Sequence, residues 1–413
     1  MTKHTLIVGA SHAGVTAAEA LRRNGFDGAI TLLSAEACPL PYHRPPLSKA
    51  YLSGEKSAQQ IALRGATFYE DNAIILRHGL RAEGLDPRAR TLTAGDEVIP
   101  YDDLILATGA RPRLLPGSEQ IRTGLHRLRD LADADALARR RDSASRLVIA
   151  GGGFIGLEVA ATFVKRGVEV IVVEPQTSLL ARALPAEVSA PLLALHRAAG
   201  VEIRLGTTLT RLIHSNGRLT GVELSDGTQI ATDDLLVGIG SQARLELAPG
   251  AETRLGGFAV DSHGRTSLPH VWAIGDCATQ DNRFAGGPAR IESVQAATDQ
   301  ARATGAALAG KTDAPPAAEA LPWFWSDQYD WKLQMAGFIQ PGAEVVLRGD
   351  PAAGAFSVLH MRGARLCATF SVNRAGDHIH ARKLIASGAR FDAAALTDAA
   401  TPLNKCLIPE PAA

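Results

Sequence analysis

Two glycine clusters, Gly9-Ala10-Ser11-His12-Ala13-Gly14 and Gly151-Gly152-Gly153-Phe154-Ile155-Gly156, have the types and spacing to hold a pyrophosphate. A pyrophosphate is anionic and needs backbone N–H groups at a helix N-terminus with no side chain in the way. In the first cluster Gly9 makes the tight turn and Gly14 lets helix and strand approach. Ser11 stands where a middle glycine is usual, small enough for close approach and with a hydroxyl to donate. The second cluster, with Gly151, Gly153 and Gly156, keeps the stricter pattern. An acid follows each cluster. Glu36 is suited to accept hydrogen bonds from ribose hydroxyls. Glu174 would do the same and repel a 2′-phosphate, and Pro175, Gln176 and Thr177 offer no cation to accept one. NADH is therefore expected over NADPH, a preference that Arg182, farther along, qualifies.

Such residues work only if strands and helices place them. The apolar run over 5–8 predicts a strand, 15–23 a helix and 29–33 a second strand, with Glu36 just past its end. The order returns as a strand over 146–150, a helix over 157–163 and a strand over 168–173 that ends in Glu174. One glycine turn alone is weak evidence, because glycines punctuate ordinary turns. The whole pattern occurring twice points to two dinucleotides. Between the units, residues 101–112 read as a buried strand meeting a turn at Gly109, with 234–240 as its mate, so the second unit is expected to be inserted between these crossings. Residues 311–320, rich in Ala and Pro, read as a linker. Beyond it Trp323, Trp325 and Trp331 cluster, and 344–348 and 355–359 read as strands of a smaller α+β domain. The expected fold is α/β, with two Rossmann-like dinucleotide-binding domains plus a smaller α+β C-terminal domain. The boundaries are 1–113 with 241–318, 114–240 and 319–413.

The composition narrows the function. With 413 residues, two or three domains are expected. Lys plus Arg number 43 and Asp plus Glu 43, so no strong basic field exists to hold nucleic acid or an anionic membrane. A 46% hydrophobic, 21% charged chain is ordinary globular composition. No apolar stretch is long enough to cross a bilayer, and the first residues lack the features of a signal peptide, which predicts a cytoplasmic protein. Cys38, Cys277, Cys367 and Cys406 form no CxxC, and no histidine spacing suggests ligands, so neither a disulfide framework nor a metal is expected.

The two glycine motifs, Ala107-Thr108-Gly109 and the run ending Ile274-Gly275-Asp276 resemble the two-dinucleotide flavoprotein reductases, whose fold is glutathione-reductase-like. More narrowly, three segments resemble the NADH-dependent ferredoxin reductases of bacterial cytochrome P450 and ring-hydroxylating dioxygenase systems. They are Pro41-Tyr42-His43-Arg44-Pro45-Pro46-Leu47-Ser48-Lys49, Arg290-Ile291-Glu292-Ser293-Val294 and Trp323-Phe324-Trp325-Ser326-Asp327-Gln328-Tyr329. The resemblance spans nearly the whole chain. It implies that Gly9, Ser11, Ala13 and Gly14 hold the FAD pyrophosphate, with Thr108, Gly109 and Gly275 completing that site and Glu36 on the adenosine ribose. Arg44 and Pro45 would pack against the isoalloxazine, with Lys49 near its N5 edge and Trp325 on the opposite side. Arg129 would approach the phosphates and Asp276 the ribityl chain or pyrophosphate, with backbone atoms of Ala82 and Val294 contributing. Gly151, Gly153, Ile155, Gly156, Glu158, Glu174 and Gly240 would hold NADH, and Phe154 would gate the nicotinamide face. The implied partner is a [2Fe-2S] ferredoxin, docking near Arg64, Arg302 and Lys332.

The implied chemistry is hydride transfer from nicotinamide C4 to flavin N5, followed by release of single electrons. Lys49 near N5 would stabilise the electron-rich reduced ring, and a pairing with Glu158 would hold it there. Pro45 and Trp325 would align the ring, and no side chain need act as acid, base or nucleophile. Two rivals stay open. An NADH oxidase or peroxidase would use Cys38 as a redox thiol against the flavin, although residues 45–49 resemble what fills that face in ferredoxin reductases. A flavin-based redox-sensing binding protein would change shape or partner with NADH. The ferredoxin, the terminal oxygenase and its substrate are not legible in the sequence.

Overall fold

Strand His4–Val8 runs into the first glycine turn and helix His12–Arg23 leaves it, and the chain then returns as strand Ala29–Leu33. In the computed structural model, which describes residues 3–311, 313 and 315–409, these strands are central to a parallel five-stranded sheet. Its order is Val271–Ala273, Asp103–Leu106, His4–Val8, Ala29–Leu33, Ile74–Arg77. A parallel sheet is covered on both faces, which is why its strands read as continuous apolar runs rather than alternating ones. Ile7, Ile30, Leu32 and Ile105 face one core with Val15, Ala18 and Leu21 of the helix. Leu6, Leu104 and Leu106 face another with Leu92 and Phe258. Helix Val294–Leu308 lies so close to His12–Arg23 that a Cβ at Gly305 would come 2.6 Å from the Cβ of Ala20.

The chain divides into two compact units: Met1–His43, Ala58–Arg111 and Gln242–Phe324 form one, and Arg44–Ser57, Pro112–Ser241 and Trp325–Ala413 the other. The second unit holds its own parallel sheet, in the order Glu202–Leu205, Glu169–Glu174, Arg146–Ala150, Asp234–Val237, Leu125–His126. Here the expected pairing of 101–112 with 234–240 is corrected. Asp103–Leu106 lies between His4–Val8 and Val271–Ala273, whereas Asp234–Val237 pairs with Arg146–Ala150. Each crossing strand lies inside its sheet, beside the strand that leads into its own glycine turn. The segment read as a linker is also more than a tether, although its Thr312 and Ala314 lie outside the described residues. Residues Ala317–Glu319 form a 3-10 turn, and Asn282 donates to the Ala320 carbonyl at 3.0 Å.

The C-terminal part is an antiparallel five-stranded sheet, ordered Trp323–Gln328, Trp331–Gly337, Arg365–Val372, Ala355–Arg362, Glu344–Asp350, with helix Ala375–Ser387. Trp331 is buried edge-on against Phe356, a packing residue. No helix among the described residues is long and apolar enough to cross a membrane.

Two buried histidines give this region a pH dependence. Burial, with Arg382 adding to it, lowers the pKa of His378 to about 4, and burial lowers that of His360 against the attraction of Glu187. An unfolded imidazole titrates near 6.5. Between about pH 6.5 and about pH 4 the unfolded chain therefore binds protons that His378 in the folded chain does not. Stability is complete above that window and falls as the pH drops through it, by at most about 1.4 kcal/mol per pH unit for each histidine. Urea unfolding at pH 7.5, 5.5 and 4.5 should show the midpoint falling, and His378→Phe should flatten the trend. A trend unchanged in that variant would refute the assignment.

Candidate functional site

In the first unit the glycine turn is set by backbone contact. Gly9 has φ +114°, and a Cβ there would lie 2.1 Å from the Ala107 carbonyl oxygen, while one at Gly14 would lie 1.9 Å from the Gly9 carbonyl oxygen. Any side chain at either position would push strand and helix apart. Ser11 is the N-cap of helix His12–Arg23 but its side chain does not cap it, Ala13 is buried beside it, and the first turn carries no acid. The helix dipole thus faces the turn unopposed by a carboxylate. Beyond the next strand, Glu36 is partly buried and accepts the Tyr42 hydroxyl, and its backbone carbonyl accepts the Gly79 N–H. Ala82 opens strand Ala82–Asp86 shortly after.

The other expected first-unit residues cluster on two connections. The Thr108 hydroxyl donates to the Arg244 carbonyl at 2.8 Å, and Gly109 turns the chain at φ +67°. Gly275, at φ +76°, donates its N–H to Gln300 at 2.7 Å, and the partly buried Asp276 follows it. Arg290 donates to the Asp276 carbonyl at 3.0 Å. Val294 begins the helix that Ser293 caps by accepting the Ala296 N–H at 3.0 Å. Cys38 is partly buried and its thiol donates to the Leu40 carbonyl at 3.3 Å. Burial pushes the Cys277 thiol up, as a small side chain in the core would be.

In the second unit Gly151 (φ +104°) and Gly156 repeat the arrangement: built Cβ atoms would lie 2.4 Å from the Gly238 oxygen and 2.5 Å from the Gly151 oxygen. Gly153 differs, since a Cβ there would meet nothing nearer than 3.9 Å. That free space, at the N-cap of helix Phe154–Val164 with no acid in its first turn, is the room a pyrophosphate needs. Phe154 is partly exposed and Ile155 is 46% exposed, both at this helix start. Glu174 accepts the Gly152 N–H at 2.6 Å and the Gln176 N–H at 2.9 Å, so it also braces the glycine turn. Near Gly240 (φ +100°) a Cβ would come within 3.9 Å of an Arg182 guanidinium nitrogen.

The same unit contains a buried charge cluster. Glu158, only 5% exposed on helix Phe154–Val164, holds the Lys49 ammonium at 2.7 Å. It also accepts the Ser48 hydroxyl, and the Ser326 hydroxyl at 2.5 Å. Lys49 ends the 3-10 turn Pro45–Ser48 and reaches back to the Pro45 carbonyl at 3.4 Å. Arg44, just before that turn, donates to the Arg129 carbonyl at 2.5 Å. Trp325, partly buried, precedes Ser326 on strand Trp323–Gln328. Ser48 and Ser326 are functional candidates that residue type alone does not single out.

The expected residues thus fall into two sets. Of the expected cofactor and catalytic residues, Gly9, Ser11, Ala13, Gly14, Glu36, Ala82, Thr108, Gly109, Gly275, Asp276 and Val294 belong to the first unit, and the others to the second. Arg64 pairs with Glu19 at 2.6 Å and Arg302 with Asp299 at 3.4 Å in the first unit, and Lys332 is exposed in the second.

A pyridine nucleotide-disulphide oxidoreductase model covers residues 3–301, and a reductase C-terminal model covers 323–407. The chain is 44% identical over 405 residues to a 5,5′-dehydrodivanillate O-demethylase ferredoxin reductase subunit from Sphingobium sp., covering 97% of each. It is 40% identical over 414 residues to a ferredoxin–NAD(P)(+) reductase from Sphingomonas sp., covering 98% of each. The crystal structure of the covalent putidaredoxin reductase–putidaredoxin complex matches with a TM-score of 0.92 at 36% identity, covering 98% of both chains. A family model over residues 3–301 and relatives 40% and 44% identical over nearly the whole of both chains place this chain in the pyridine nucleotide-disulphide oxidoreductase family, among the ferredoxin reductases that use FAD and NAD(P)H.

Proposed function

We propose that this protein is an NADH:ferredoxin reductase supplying a P450 or ring-hydroxylating dioxygenase, in the cytoplasm, and that its domains are 1–113 with 241–318 (FAD), 114–240 (NADH) and 319–413. The observation that carries this reading is the Lys49 ammonium held at 2.7 Å by a buried Glu158, on the helix that the second glycine turn opens. FAD, when bound, accepts a hydride and gives up its electrons singly. Gly9, Gly14 and the N–H groups of helix His12–Arg23 would hold its pyrophosphate, with Glu36 on the ribose and Asp276 with the ribityl chain. Gly151, Gly153, Gly156 and Glu174 would hold NADH, whose 2′-hydroxyl suits a carboxylate where a phosphate would be repelled. Arg44, Pro45 and Trp325 would fix the plane of the isoalloxazine, while Phe154 covers the nicotinamide face. Lys49 would place a positive charge at the N5 edge, where negative charge grows on reduction, and Glu158 keeps it aimed. Arg64, Arg302 and Lys332 would steer an acidic [2Fe-2S] ferredoxin.

The test is anaerobic stopped-flow. Mixing the yellow protein with NADH should bleach the flavin absorbance, and a [2Fe-2S] ferredoxin added afterwards should restore it. Bleaching that no such ferredoxin reverses would overturn the reading.

Cys38 supplies a second check. If its thiol is a bystander bonded to Leu40, Cys38→Ser should keep flavin reduction and ferredoxin turnover within about twofold, the size of an ordinary neutral substitution. A tenfold loss would move the chemistry to the thiol.

A further inference from the structure

The carboxylate that holds Lys49 is itself the end of a longer buried chain. A carboxylate only accepts, so the Ser326 O–H donates to Glu158 at 2.5 Å. Ser326 Oγ then accepts the Gln328 amide N–H at 3.1 Å. That turns the Gln328 carbonyl oxygen toward His196, whose Nε2 lies 2.8 Å away and must donate. In the neutral imidazole Nδ1 is left as an acceptor, and the Tyr329 hydroxyl sits 3.1 Å from it. Ser326, Gln328 and His196 are 0%, 2% and 0% exposed. Burial lowers the His196 pKa, against the pull of the hydrogen bond it donates to Gln328, which favours the neutral form this order requires. Every donor in the chain points the same way, toward Glu158, so each bond polarises the next.

A second observation marks the far end. Tyr329 stands at φ +57°, in the left-handed region that a tyrosine rarely adopts. Such backbone is strained for a residue other than glycine and persists only where its surroundings enforce it. Here it brings the Tyr329 ring edge-on to His196, with centroids 5.0 Å apart, under the Lys165 ammonium.

We propose that Tyr329, His196, Gln328 and Ser326 form a positioning relay that fixes the Glu158 carboxylate, and through it the Lys49 charge, so that the C-terminal strand bearing Trp325 also sets the aim of the lysine. None of the four touches the reacting atoms; they act through Glu158. The inference rests on the reading of Lys49 as the cation at the flavin N5 edge.

The test uses the FAD-loaded full chain. Ser326→Ala should lower the limiting rate of flavin bleaching by NADH about tenfold, the worth of one hydrogen bond to a charged group. The NADH concentration at half-saturation should not change, and the midpoint potential of the bound flavin should become more negative. Ser326→Thr, which keeps the hydroxyl, should recover both. Ser357→Ala, which removes another buried serine hydroxyl, bonded to Ser371 and Asp377, should leave rate and potential as in the parent. Should Ser326→Ala not fold, Tyr329→Phe reads the far end of the same chain and should shift rate and potential in the same direction by a smaller factor. Parent-like rate and potential in Ser326→Ala, or in Tyr329→Phe if that is the variant measured, would overturn this inference alone. A parent protein that NADH does not bleach would overturn the functional reading with it.

Discussion

Glu158→Ala should slow the bleaching of the flavin by NADH at least about a hundredfold, and lower the stability of the chain by about 3 kcal/mol. The reason lies in what the carboxylate now satisfies. It is 5% exposed, it lies 2.7 Å from a Lys49 ammonium that is 20% exposed, and the Ser48 and Ser326 hydroxyls donate to it as well. Alanine leaves a largely buried cation without its counter-charge and two hydroxyls without their acceptor, and breaking a buried pair on one side is the costly case. Lys49 would then swing toward water, away from its aim. Glu158→Gln keeps the shape and one acceptor oxygen but not the charge, so its loss should fall between parent and alanine. Stopped-flow rates and urea midpoints for the three proteins decide the matter. A Glu158→Ala protein with the parent rate would mean that the pair is merely structural.

The two dinucleotide units were legible because their signals are local. A parallel strand buried on both faces is a run of Leu, Ile and Val, and a turn in which a Cβ would strike a carbonyl at about 2 Å admits only glycine. The partners of Glu158 are another matter. Ser48 and Ser326 lie 110 and 168 positions away in sequence, and no periodicity marks a hydrogen-bond partner at such distances. Both lie inside segments that carry the family resemblance, so the segments were visible while the role of the serines was not. The strand at 234–240 shows its partner only in the fold, for a related reason. Its apolar pattern matches that of 101–112, and only the sheet shows that each belongs beside its own glycine turn. Glu174 carries a use that a binding motif does not announce, since its carboxylate braces the turn from within.

Arg348→Ala should have the largest effect on stability, for a reason that residue type alone would not suggest. Arginine is rarely fully buried, yet Arg348 is 0% exposed on strand Glu344–Asp350. Its guanidinium donates to Asp377 at 3.1 Å, to the carbonyls of Leu396 and Asp398 at 3.0 and 2.5 Å, and to that of Thr401. One planar fork thus joins the sheet to helix Ala375–Ser387 and to the segment that follows it. Alanine would leave the buried Leu396 carbonyl without this donor, remove the ties to the Asp398 and Thr401 carbonyls, and leave Asp377 dependent on Arg374 at 2.7 Å and Ser357 at 3.1 Å. The expected cost is about 4 kcal/mol or more. Lysine should recover little of it, because a single ammonium cannot span the fork. The sheet that loosens is the one whose strand Trp323–Gln328 carries Trp325 and Ser326, so flavin reduction should weaken along with it. Limited proteolysis should cut first between residues 396 and 409. A variant with the parent's unfolding midpoint and protease resistance would show that the buried cation is dispensable to the C-terminal sheet.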